Sequence, residues 1–119
     1  FLLTKGNNII YLGMKKIKIG KLQLISLLDG FIRLDGGAMF GVIPKPLWSH
    51  LAPADERNRI TIAMRPLLII HPDANILIDT GIGNKYDEKF ADIYGVDRHP
   101  GLENELKEVG FTLNDVDIV

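Results

Sequence analysis

Ile76-Leu77-Ile78-Asp79-Thr80-Gly81-Ile82-Gly83 is the stretch on which the reading of this chain turns. A short apolar run bounded by turn residues reads as a buried strand. His71-Pro72-Asp73-Ala74-Asn75 supplies the turn before it. Asp79 follows the strand directly, at the carboxyl end of a sheet, where ligand sites gather in α/β folds. Gly81 and Gly83 allow the backbone to come close to a ligand. A plainer reading competes with this one. Asp79 could simply close a strand-to-loop turn by accepting the amides of its own loop, and such turns are the commoner case. Gly81-x-Gly83 lacks the third glycine of a dinucleotide fingerprint, so a nucleotide site is not expected.

Upstream, Lys16-Ile17-Lys18-Ile19 alternates polar and apolar and reads as a half-buried strand. Leu22-Gln23-Leu24 alternates with its apolar phase moved by one, which predicts a tight turn or bulge at Gly20-Lys21. Asp29-Gly30 predicts a hairpin turn ahead of a strand at Phe31-Ile32-Arg33-Leu34. Asp35-Gly36-Gly37 opens a predicted loop from Ala38 to Pro46. A short helix is expected around Pro46 to Leu51, with Pro46 in its first turn. Asp55-Glu56-Arg57-Asn58 is polar and solvated. Arg59 to Ile70 reads as one long strand, with Pro66 at an edge or bulge.

Downstream, Tyr86, Phe90 and Ile93 form one apolar stripe at helical spacing. A second helix is predicted from Pro100, with Leu102, Leu106 and Val109 on one face and Gly110 as its stop. Thr112 to Asp115 reads as a capped turn. Val116-Asp117-Ile118-Val119 reads as a last strand. Strands followed by helices and a further strand predict an α+β (mixed α/β) class, with a mostly antiparallel sheet and covering helices. Met14-Lys15-Lys16 is read as a native start. Residues 1–13 are then an upstream or non-native segment, and 14–119 the N-terminal part of a single domain. Val116 to Val119 ends on an apolar pattern, read as truncation.

Composition narrows the function classes. The chain has 119 residues, 46% of them hydrophobic and 24% charged, with a net charge of -1 and no cysteine. There is no basic face of the kind nucleic acid requires. Disulfide frameworks, Cys-ligated zinc and cysteine nucleophiles are excluded. The apolar run at 60–70 is broken by Arg65 and Pro66 and falls short of the roughly 20 residues that span a bilayer. The expectation is a cytoplasmic protein that binds neither nucleic acid nor membrane.

Other candidate chemistry is thin. His50, His71 and His99 have no histidine at ligand spacing, whereas a zinc site takes three or four donors. Ser26 and Ser49 do not sit in a nucleophile elbow. Met39, Phe40 and Trp48 surround the Gly-rich loop and could line an apolar pocket. Covering the core is the commoner fate of such residues.

The ordered set of segments carries more than any one of them. Ile76 to Gly83 resembles the first signature of the metallo-β-lactamase superfamily, a buried strand ending in Asp-Thr-Gly. Leu28-Asp29-Gly30-Phe31 and Asp35 to Lys45 resemble the early hairpin and loop of one bacterial branch. Asn84 to Phe90 and Ile93-Tyr94-Gly95-Val96 resemble its segment after the signature. Asn114 to Val119 is similar to the strand that leads into the family's His-x-His-x-Asp-His motif. The resemblance covers about Met14 to Val119, and that motif is not among these residues.

The resemblance implies the N-terminal half of a four-layer αβ/βα sandwich. It implies a parent hydrolase of ester, lactone, thioester or phosphoester bonds in a small-molecule substrate. There, two divalent metal ions, commonly zinc, activate a hydroxide. On that basis no catalytic residue and no metal ligand is expected within this chain, which alone is expected to bind no metal and to be inactive. Asp79 is implied to hydrogen-bond and orient the metal ligands. Phe40 and Trp48 are expected beside the substrate cleft. One sheet face of a half-sandwich is left uncovered, so self-association is expected. The alternative is a non-catalytic dimerisation or interaction module built on the half-fold.

Overall fold

The computed structural model describes residues 15–119, together with the backbone of Thr4–Lys5 (β1) and Asn8–Ile9 (β2), which pair antiparallel. The expected start at Met14 lies outside the described residues. The architecture is mixed α+β with antiparallel sheets. One sheet contains β3 (Lys15–Ile19), β4 (Leu22–Ser26), β7 (Leu67–Ile70) and β8 (Asn75–Ile78), in that spatial order. The second pairs β5 (Gly30–Asp35) with β6 (Arg59–Met64).

Gly20-Lys21 forms the expected tight turn, with Ile19 opposite Leu22 and Ile17 opposite Leu24. The one-residue change of phase is what a two-residue connection needs to keep these four side chains on one face. β3 is not half-buried, however. It is the outermost strand of its sheet, and all five of its residues are exposed.

The largest departure from the sequence reading is at the corner between the sheets. Asp29-Gly30 is not a hairpin turn. β4 stops at Ser26, and the buried residues Leu27, Leu28 and Asp29 carry the chain into the other sheet. Arg59 to Ile70 is not one strand either, for it divides at Arg65-Pro66 into β6 and β7. The two crossings run side by side. Leu27 N–H donates to Pro66 O at 2.8 Å, and Asp29 N–H donates to Met64 O at 3.0 Å. Pro66 has no N–H to leave unpaired at such a bend.

Gly36–Phe40 forms α1 rather than a loop, because Asp35 caps it by accepting Ala38 N–H at 2.7 Å. α2 (Lys45–Trp48) carries Pro46 in its first turn, as expected. α3 (Glu88–Tyr94) begins after Tyr86, since the Asp87 carboxylate accepts Phe90 N–H and sets the start. α4 (Leu102–Glu108) places Leu102 and Leu106 against Ile25, Leu27, Leu68 and Leu77, and this cluster is the main core. Thr112 and Asp115 form a capping box around the 3-10 turn Leu113–Asp115. The expected last strand is reduced to one parallel bridge, Ile76 to Ile118, with Leu77 N–H donating to Ile118 O at 2.8 Å.

Candidate functional site

Asp79 leaves β8 with φ +70, one of two non-glycine residues with positive φ among the described residues. Aspartate tolerates this region better than most residues because its short side chain bonds locally. Here Oδ1 accepts Gly81 N–H at 2.9 Å, and the residue is exposed. The plain turn reading of Asp79 is therefore what its own contacts display.

The buried acid is Asp29, which is wholly shielded from solvent. Three donors converge on it. Ile82 N–H reaches Oδ2 at 3.0 Å, while Arg98 Nη2 and Leu102 N–H each reach Oδ1 at 3.0 Å. Burying a carboxylate is costly unless it is paired and hydrogen-bonded, and Arg98 with two backbone amides meets both needs. Gly81 lies so close that a Cβ there would stand 2.2 Å from Asp29 Oδ2. Its φ is +69, so glycine is required on both counts. Sequence reasoning missed Asp29 as a site residue, because Asp-Gly is locally a turn pair. The available signal was its place between the apolar runs Leu27-Leu28 and Phe31-Ile32.

Phe40 and Trp48 come together as a stacked pair, with ring centroids 4.8 Å apart and planes 9° from parallel. Trp48 is buried and its ring covers Gly36, where a Cβ would stand 2.4 Å from Cη2. Lys45 Nζ lies 6.0 Å from the Trp48 ring centroid. Met39 is half exposed on α1. His71 sits on a surface turn, where its Nδ1 accepts Asp73 N–H at 3.1 Å. Ser26 ends β4 and Ser49 follows α2.

An open depression of about 330 Å³ borders the loop, lined by Ile82, Lys85, Tyr86, Asp87 and Phe90. Arg59 holds the opposite end of α3, with Nη1 donating to the carbonyls of Asp92 and Ile93 at 2.7 Å. Asp55 orients Arg59 through a 2.9 Å ion pair. The Asp55 carboxyl is lowered to about 2, first by the hydrogen bond from Arg59 N–H and then by the Arg59 side chain.

Among the described residues no group of three His, Cys, Asp or Glu could hold a metal ion. Asp79 and Asp29 accept from backbone amides and Arg98, so the donors present do not by themselves fit a metal centre. No helix among the described residues is long and apolar enough to cross a membrane.

No protein-family model matches the chain, and no curated protein does. Solved structures do. A probable metal-dependent hydrolase from Staphylococcus aureus is 41% identical, with a TM-score of 0.78 over 86% of this chain and 38% of that one. AidC, a dizinc quorum-quenching lactonase in complex with a product, is 29% identical with a TM-score of 0.63, over 89% and 34%. AbOPH, a hydrolase in the β-lactamase superfamily, is 22% identical with a TM-score of 0.63, over 89% and 34%, and supports the fold alone. The chain thus matches part of the fold of metal-dependent hydrolases of the β-lactamase superfamily and spans about a third of their length.

Proposed function

We propose that this chain is the N-terminal part of a metal-dependent hydrolase of the metallo-β-lactamase superfamily. The observation that carries the reading is the 41% identity to a probable metal-dependent hydrolase over 86% of this chain. The reaction is hydrolysis of an ester, lactone, thioester or phosphoester bond in a small molecule. Two divalent metal ions, zinc as in the dizinc lactonase AidC, serve it. No group of three His, Cys, Asp or Glu among the described residues could hold a metal ion, which supports ligands supplied from outside these 119 residues.

Within that protein Asp79 orients the metal ligands through the hydrogen bonds of its carboxylate. Phe40 and Trp48 border the substrate cleft. One observation favours the alternative of a non-catalytic interaction module. Ile17, Ile19, Leu22, Leu24, Leu67, Ile69, Ile76 and Ile78 share one sheet face by register, and none of them is buried.

The coding sequence past Val119 discriminates the two. The hydrolase reading expects His-x-His-x-Asp-His there, and expects the protein carried through it to cleave a lactone or p-nitrophenyl ester. A natural stop codon directly after Val119 would sink it and favour the module.

A further inference from the structure

The geometry points to Asp29 as the positioning residue of the Asp79 loop: its buried carboxylate sets the loop's shape and ties it to Arg98 and the start of α4. The role of the loop in hydrolysis rests on the function proposed above, whereas the tie itself rests on contacts within this chain.

Asp29 is placed to do this by the corner between the sheets. Its own backbone is fixed by donation to Met64 O at 3.0 Å, and its neighbour Leu28 donates to Glu105 Oε2 on α4 at 3.1 Å. The carboxylate therefore leaves a rigid point and reaches two separate segments. On one side it accepts Ile82 N–H, three residues beyond Asp79. On the other it accepts Leu102 N–H, the first residue of α4, and so supplies the cap that Gly101 has no side chain to provide. Arg98 balances its charge from the segment between.

The surroundings call for a group that only accepts. All three groups facing Asp29 are donors, and a carboxylate is acceptor-only. Asparagine has the same size but carries an NH₂, which would meet a donor on one side. Gly81 shows how closely the loop is moulded to this group, since any Cβ there would overlap Asp29 Oδ2, Cγ and Cβ. The direction of Asp79 follows, because its Oδ1 is bound to the N–H of that same Gly81.

The test is amide hydrogen exchange on the ¹⁵N-labelled 119-residue chain, read at Ile82, Leu102, Leu68 and Leu77. In Asp29→Asn, exchange at Ile82 and Leu102 is expected to rise roughly tenfold or more, as loss of a hydrogen bond to a charged group implies. Leu68 and Leu77, in the sheet core, should change far less. Equal acceleration at all four amides would mean that Asp29 merely stabilises the domain, and unchanged exchange at Ile82 would mean that it holds nothing; either overturns the proposal. Should Asp29→Asn not fold, Arg98→Gln, at a partly exposed side chain, decides. Loss of its bond to Asp29 Oδ1 is expected to move the Ile82 and Leu102 amide resonances together, and resonances that both stay in place overturn the tie. If the wild-type protein carried past Val119 binds no zinc, the proposed function fails while the exchange result stands.

Discussion

Asp79 holds a left-handed backbone conformation that a β-carbon normally disfavours, and it spends one carboxylate oxygen on Gly81 N–H. Both features can be kept or removed by choice of residue. Asn tolerates positive φ and keeps the acceptor, so Asp79→Asn should change stability by less than about 0.5 kcal/mol. Ala does neither, so Asp79→Ala should cost about 1–2 kcal/mol. Urea unfolding of the two variants checks this, and equal stability would show that the turn is not held as described. Asp79 was legible in the sequence because an apolar run ending in an acid is a local pattern. Asp29 was not. Its three donors lie 53, 69 and 73 residues away, and no local spacing encodes them. Locally it looks like half of an Asp-Gly turn.

At the scale of elements, α4 and the arginine clamp on α3 carry distinct predictions. Leu106 is fully buried between α4 and the four-stranded sheet. Leu106→Ala should cost about 2–5 kcal/mol, the range for a core truncation that leaves a cavity; a smaller loss in urea unfolding would place α4 outside the cooperative core. The Asp55 carboxyl is depressed from 3.8 to about 2 in the folded chain. A depressed value means that the folded state binds the proton less readily than the unfolded one. The stabilisation from Asp55 is therefore complete above 3.8 and fades as pH falls through about 2. Thermal unfolding across that acid window should show wild type losing stability more steeply than Asp55→Asn, and parallel profiles would rule the contribution out. Element existence was readable where periodicity and caps agree, as in α4 and the Thr112 turn. The two-sheet corner was not, because a strand that changes sheets keeps the same alternation, and Pro66 marks a break without saying what lies beyond it.

For the whole molecule, the open sheet face decides how the chain behaves alone. Ile19 and Ile78 on that face are more than half exposed, Ile17 is nearly so, and the neighbouring Ile118 is as open as Ile78. A contiguous apolar surface of this kind is normally covered by a partner. We propose that a second copy covers it when the chain is alone. Sedimentation should give a dimer or larger species for the 119-residue chain and a smaller species for Ile17→Lys/Ile78→Lys; a wild-type monomer would contradict this. Metal content separates the hydrolase from the interaction module, and elemental analysis of the purified 119-residue chain and of the same protein carried through its coding sequence beyond Val119 measures it. About two zinc ions per chain, as in binuclear hydrolases, are expected in the longer protein only. Stoichiometric zinc in the 119-residue chain, or a longer protein that is metal-free and inert, would contradict this expectation.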